Sequence, residues 1–187
     1  MLIDGKYTNK LKRYDVPFHA HELTFSCYKK QTFMAKERTC QWLVDSIQYC
    51  REKHNFALWA YVFMPNHVHM LIYSRKEEYS ISQIASDLKR PVAQRAIAWL
   101  KRENPIGLKF LQTGQKKQKY RFWQAGGGYD RNIINTETLI NVVRYIHGNP
   151  VRKGFADRSA QWYYSSAAAW LESKNEPIKI DKSDWPL

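Results

Sequence analysis

No apolar run in the chain approaches the roughly 20 residues that a membrane-spanning helix needs, and the opening MLIDGKYTNKLKRYD lacks the apolar stretch of a secretory signal. Cysteine is scarce. Cys27, Cys40 and Cys50 are odd in number and show no CxxC spacing, so neither a disulfide framework nor a zinc ribbon is indicated. Internal repeats and low-complexity segments are absent. Acidic residues are the minority charge, with 17 Asp and Glu against 30 Lys and Arg. These absences lead to the expectation of a soluble, cytoplasmic protein with no membrane partner. What is present is a globular composition: 187 residues, 44% hydrophobic and 14% aromatic, enough for one domain (1–187) with a buried core and unlike a disordered basic tail.

A net charge of +13 and a pI near 9.7 are the electrostatic footprint of a nucleic-acid binder. Between positions 101 and 121 lie Lys101, Arg102, Lys109, Lys116, Lys117, Lys119 and Arg121, with Glu103 the lone acid, and an N-terminal arm adds Lys6, Lys10, Lys12 and Arg13. Phe110, Tyr120, Phe122 and Trp123 are interleaved with these cations, a mixture that suits stacked single-stranded bases. A solvated loop with core aromatics at its ends is the alternative. The first reading places most of the 101–121 cluster on the DNA-binding face.

Residues 19–28 (HAHELTFSCY) alternate as a strand does. Residues 36–53 read as a helix with Cys40, Leu43, Ile47 and Cys50 on its buried stripe, so these cysteines are core residues. FALWAYVFM (56–64) suits a central strand, Pro65-Asn66 a turn, and HVHMLIY (67–73) a second strand of a hairpin. Ser80 and Gln83 form a capping box for a helix that Pro91 breaks or kinks before it continues to about 103. A long loop follows, RFWQ (121–124) reads as a short strand, and three glycines lead to a last strong helix capped by Asn135 or Thr136. The order of elements predicts an α+β fold, an antiparallel sheet with helices packed on one side.

His67-Val68-His69 sets two imidazoles on one face of a strand, about 7 Å apart at Cα, where both can ligate one cation. The pattern alone is weak, since His19-Ala20-His21 repeats the spacing. Two histidines are too few for a structural zinc site but suit an open catalytic ion. On the last helix Leu139, Val142, Val143 and Ile146 form the apolar stripe, and Tyr145 and Asn149 share its border one turn apart. Pro150 disfavours helical geometry at Asn149, so the amide is expected at the helix end, reaching outward. Tyr145 taken alone also reads as a boundary residue with its ring in the core and its hydroxyl wet.

The segments MPNHVHML (64–71), RFWQAGGGYDRNI (121–133), YIHGNPVRKG (145–154) and WYYSSA (162–167) together resemble the single-tyrosine HUH transposases of bacteria, most closely the REP-associated tyrosine transposase branch. The resemblance spans about 14–169 and implies a ferredoxin-like or RRM-like sheet, a transposase core over 14–150 and a C-terminal extension over 151–187. His67 and His69 match the family's histidine pair, Tyr145 its nucleophile, and Asn149 the third metal ligand, where insertion-sequence relatives usually carry Gln. His19 and His21 match no ligand and are left structural. The implied function is a metal-dependent single-stranded DNA endonuclease and strand transferase that cleaves near hairpin-forming repeats through a 5′-phosphotyrosine, with Mg2+ or Mn2+.

Tyr129 is a rival nucleophile, on a glycine loop whose amides could meet phosphate. Candidate DNA contacts are Lys89, Arg90, Arg95, Lys116, Lys117, Lys119, Arg121, Trp123, Gln124 and Arg152. Single-stranded or hairpin DNA is the expected partner, the protein acting as a monomer or homodimer near the nucleoid. The alternative is a non-catalytic single-stranded nucleic-acid-binding protein of RRM-like fold.

Overall fold

The computed structural model describes residues 14–126, 128–172 and 176–186. The basic arm at Lys6, Lys10, Lys12 and Arg13 lies outside the described residues. Four strands form one antiparallel sheet in the order β2-β3-β1-β4: β1 (Ala20–Ser26), β2 (Phe56–Met64), β3 (His67–Ser74) and β4 (Tyr129–Ile133). Helices α1 (Glu37–His54), α2 (Ile81–Glu103), α3 (Thr136–Arg152) and the short α4 (Ala167–Leu171) complete it. None of them is long and apolar enough to cross a membrane.

The α+β architecture expected from the sequence is what forms. Strand alternation divides the sheet into two faces. Leu23, Phe25, Tyr61, Phe63, Met70 and Ile72 point to one face and are buried with the α1 stripe Cys40, Leu43, Ile47 and Cys50 and with Ile84, Leu88 and Val92 of α2. Burial pushes the Cys27 and Cys40 thiols up to about 12 and Cys50 to about 11, so all three are inert core groups. The opposite face, with Ala57, Val62 and Leu71, is covered by Leu139, Val142, Val143 and Ile146 of α3. A bulge between Leu58 and Ala60 sets Trp59 and Ala60 both on this second face.

Several local expectations change. Both prolines sit inside helices. Pro91 has no N–H for the carbonyl of Asp87, and Ser46 of α1 supplies hydroxyl contacts there, 3.4 Å to Asp87 O and 2.9 Å to Leu88 O. Pro150 likewise frees the carbonyl of Ile146, and the Asn149 side chain donates to it at 3.5 Å and to Tyr145 O at 3.0 Å, so α3 runs on to Arg152. The capping box at α2 is half made: Ser80 Oγ accepts from Gln83 N, while the Gln83 amide turns to Asp87 instead.

RFWQ is not a strand. Trp123 makes one isolated bridge to Cys27, and the fourth strand is YDRNI, just past the glycines. Part of the expected loop after α2 is a 3₁₀ segment, Pro105–Leu111. β2, although fully buried, is an edge strand of the sheet. Its open side is closed by the C-terminal residues: Phe63 N donates to Tyr164 O, Ser166 N to Tyr61 O, and Leu58 N to the carboxylate of Asp181.

Candidate active site

His67 and His69 rise from β3 onto the α3 face, because their cross-strand partners Met64 and Val62 belong to that face. Their rings meet edge to face, 4.8 Å between centroids. Tyr145 projects from α3 above them, its ring 5.4 Å from that of His69, and it is 46% exposed. The apolar stripe of α3 holds the helix against the sheet, and Tyr145, at the border of that stripe, meets the histidine strand. Asn135 starts the helix by accepting from Thr138 N.

Both imidazoles are held neutral. Burial lowers the His67 pKa, with the Lys153 ammonium adding to the effect. Burial, then His67 and Arg152, push His69 down to about 3. Each ring is oriented through Nδ1: His67 Nδ1 donates to Asn66 Oδ1 at 2.6 Å, and His69 Nδ1 pairs with Thr24 Oγ1 at 2.7 Å. On neither ring is Nε2 bonded to a described residue. A polar partner on the second nitrogen is the usual companion of a ligating histidine.

Asn149 is 4% exposed, not at a fraying helix end reaching outward, because the helix continues past it. Its Nδ2 is spent on the carbonyls of Tyr145 and Ile146, which leaves the amide oxygen as its free donor atom. Among the described residues no three His, Cys, Asp or Glu side chains gather into a cation site. The chemistry of two neutral imidazoles at His67 and His69, with the amide oxygen of Asn149 one helical turn beyond Tyr145, is neutral and partly hard, and suits a divalent ion of the Mg2+ or Mn2+ kind rather than a closed zinc site.

Arg152 lies back along α3, its guanidinium 4.6 Å from the centre of the Tyr145 ring and donating to Tyr145 O at 2.5 Å. A cavity of about 530 Å3 opens beside Tyr145, lined by Glu22, Thr24, His69, Tyr129, Arg131, Asn141 and Val142. Tyr129, the rival nucleophile, is in this cavity too and is 45% exposed, but the ring that touches His69 belongs to Tyr145. Gly128 precedes it with φ +76°; a Cβ there would stand 2.1 Å from the carbonyl oxygen of Thr24. The loop thus enters β4 in contact with the residue that orients His69.

The remaining candidates separate. Lys89, Arg90, Arg121, Trp123 and Gln124 share a second cavity of about 580 Å3 on the α2 side. Gln124 N bonds to Ser26 O, and Ser26 pairs with His67, so this cavity lies at the sheet end where the histidine strand begins. Trp123 is buried there and donates to Lys89 O. Arg90 is paired with Asp87 and Arg95 with Asp45, and Arg95 lies outside the cavity. Lys116, Lys117 and Lys119 are exposed on the connecting loop.

The 101–121 cluster as a whole does not share the face of Tyr145. Leu100, Leu111 and Tyr120 anchor its segment in the α1–α2 layer, and this corrects the expectation that it walls the reactive groups. Thr24, Asn66 and Glu22 escape motif reading; alternation in HELTF was the one signal that put Glu22 and Thr24 on a common face. His21, of the other His-x-His pair, is buried, with Nδ1 bonded to Asp130 at 2.9 Å and Nε2 to Tyr79 at 2.7 Å.

Comparison with known proteins bears on the family and the fold. Residues 16–149 match the model of the family described as IS200-like transposases. A protein of Haemophilus influenzae described as a REP-associated tyrosine transposase is 27% identical over 149 residues, covering 72% of this chain and 76% of that one. The solved structure of a REP-associated tyrosine transposase bound to a REP hairpin superposes with a TM-score of 0.69 at 17% identity, over 93% of this chain and 92% of that chain.

Proposed function

Since this chain belongs to the IS200-like transposase family, we propose that it is a metal-dependent endonuclease and strand transferase for single-stranded DNA next to hairpins, with Tyr145 as its nucleophile. The observation that carries this reading is the contact of Tyr145 with His69 inside one chain, both HVH rings being neutral and oriented through Nδ1. His67, His69 and Asn149 would hold Mg2+ or Mn2+, which when bound withdraws charge from the scissile phosphate.

The chain's own groups do the rest. The Tyr145 phenol oxygen forms a bond to phosphorus and the bond to the 3′ oxygen breaks, giving a 5′-phosphotyrosine and a free 3′-hydroxyl. The phenol's proton ends on that hydroxyl, directly or through solvent. Phosphodiester energy is kept in the covalent link and serves the rejoining step. Arg152, lying over the Tyr145 ring, is placed to hold a non-bridging phosphate oxygen. Since His69 and Tyr145 meet within one chain, the arrangement supports a site completed in cis and a protein able to act as a monomer. Lys89, Arg121 and Gln124, at the end of the sheet where β3 begins, would receive the DNA stem or its flank. Such work belongs in the bacterial cytoplasm, at the chromosome.

The experiment is incubation with hairpin DNA carrying single-stranded flanks, with Mn2+ and with EDTA, followed by denaturing electrophoresis. A covalent protein–DNA adduct in Mn2+ alone is expected. An adduct that survives Tyr145→Phe overturns the nucleophile; binding without any adduct favours the non-catalytic alternative.

A further inference from the structure

The cavity beside Tyr145 contains a carboxylate to which the protein offers a nearby cation but no hydrogen-bond donor among the described residues. Glu22 projects into it from β1 and is 6% exposed, yet among the described residues no hydrogen bond reaches its side chain. The cation across from it is Arg131, its register partner on β4. The Glu22 oxygens are not sealed from solvent but open on the cavity, where a ligand's donor can replace water. A carboxylate that borders an open cavity is answered most simply by a donor that a ligand brings.

Two other groups define that ligand. Tyr129, two residues before Arg131 and therefore on the same face of β4, offers a half-exposed ring to the same space. Asn141 adds an amide from α3. At about 530 Å3 the cavity has the size of a small-ligand site. An aromatic face, a carboxylate and a guanidinium around one space are the groups that hold an unpaired nucleobase, the ring by stacking and the polar pair by its Watson–Crick edge.

We propose that this cavity is a base-reading subsite, taking one unpaired nucleobase next to the phosphate presented to Tyr145, with guanine as preferred occupant. Guanine alone among the four bases puts two adjacent donors, N1–H and N2–H2, on its Watson–Crick edge, matching the two oxygens of Glu22. Its O6 beside them is an acceptor for Arg131. Adenine and cytosine set a ring-nitrogen acceptor beside their amino group, and thymine flanks one N–H with two carbonyls, so each opposes the carboxylate at one point. The position of the base along the strand rests on the proposed role of Tyr145; its capture by Glu22, Tyr129 and Arg131 needs neither metal nor cleavage.

The test is binding in EDTA, read by fluorescence anisotropy. Hairpin oligonucleotides carry flanks in which each unpaired position in turn is guanine, inosine, adenine or abasic. At one position guanine is expected to bind about tenfold or more tighter than adenine or the abasic site, with inosine intermediate for want of the N2 amine. Glu22→Gln, near-isosteric, should bring the guanine-to-adenine ratio to about threefold or less. Tyr129→Leu should weaken every base alike. A 2-aminopurine at the same position should be quenched by the wild-type protein and not by Tyr129→Leu, a readout that does not depend on how the Glu22 variant folds. No base preference and no quenching at any flanking position would overturn the subsite, as would a Glu22→Gln protein with the wild-type ratio. Base discrimination without a Tyr145 adduct would remove the nuclease reading and leave the subsite standing; an adduct without discrimination would do the reverse.

Discussion

The two faces of the sheet use the same strands and the same kinds of side chain, and differ in what they leave unfinished. On the α1–α2 face His21 has both ring nitrogens occupied, one by Asp130 and one by Tyr79. On the α3 face His69 has Nδ1 occupied by Thr24 and Nε2 bonded to no described residue. Both belong to His-x-His pairs with the same spacing, and both are buried. The spacing therefore says nothing about ligation by itself. What differs between them is the number of nitrogens that the fold leaves over. The same contrast holds for carboxylates: Asp87, at the α1–α2 junction, accepts from Lys53, His54, Gln83 and Arg90 and is held at about 2, its Lys53 bond foremost, whereas burial raises Glu22.

The contrast can be broken at several points. Tyr145→Phe should cut adduct formation by on the order of 10^3-fold or more while the thermal transition stays where it is, because the residue is half-exposed and its hydroxyl is bonded to no described residue; a shifted melting temperature would show that the α3 face is also structural. Leu43→Ala, on the closed face, should cost about 2–5 kcal/mol in urea unfolding and leave adduct yield per folded molecule as in the wild type. A change in that yield would mean the faces are coupled.

Acid should act through the α3 side. Burial pushes His147 down to about 4 from an ordinary 6.5. Between those values the unfolded chain binds the proton and the folded chain does not, so stability falls as pH falls, by about 3 kcal/mol at pH 4 from this residue. Urea midpoints at pH 7, 5.5 and 4 check it, and His147→Gln should flatten part of the slope. Thr24→Val removes the group that orients His69 and should weaken Mn2+ dependence of cleavage by about 10–100-fold, seen as a shift in the Mn2+ titration at unchanged hairpin affinity. The smallest effect belongs to Ser46→Ala, which leaves the carbonyls before Pro91 without their donor and should cost about 1 kcal/mol.

Much of the layout was legible because hydrophobic phase is a strong signal. FALWAYVFM and HVHMLIY could be placed as adjoining strands nearly to the residue, since the Pro-Asn turn between them is unambiguous. β4 was not legible: YDRNI is short, follows three glycines and carries three polar residues, because as an edge strand it needs few apolar side chains. The prolines misled because their cost depends on whether another group answers the freed carbonyl, and Ser46 and the Asn149 side chain do so from places that no local rule inspects. The histidine pair, Tyr145 and Asn149 stood out through resemblance and spacing. Glu22 and Thr24 did not, since their importance lies in who pairs with them across the sheet.

Gly128 has a consequence for how this protein could be altered. Its missing side chain fixes the clearance between the entering loop and β1 at the point where Thr24 orients His69. Any larger residue there would act as a shim, spreading β4 from β1 and moving Tyr129 and His69 together although neither had been touched. A mutational library that varied the loop for new DNA sequences would find Gly126, with open space around it but φ +87°, limited to residues such as Asn that accept a left-handed backbone, and Gly128 closed. Two glycines two positions apart would thus sort into a tuning position and a gauge block, and the gauge block sets the tolerance to which the rest of the centre is machined.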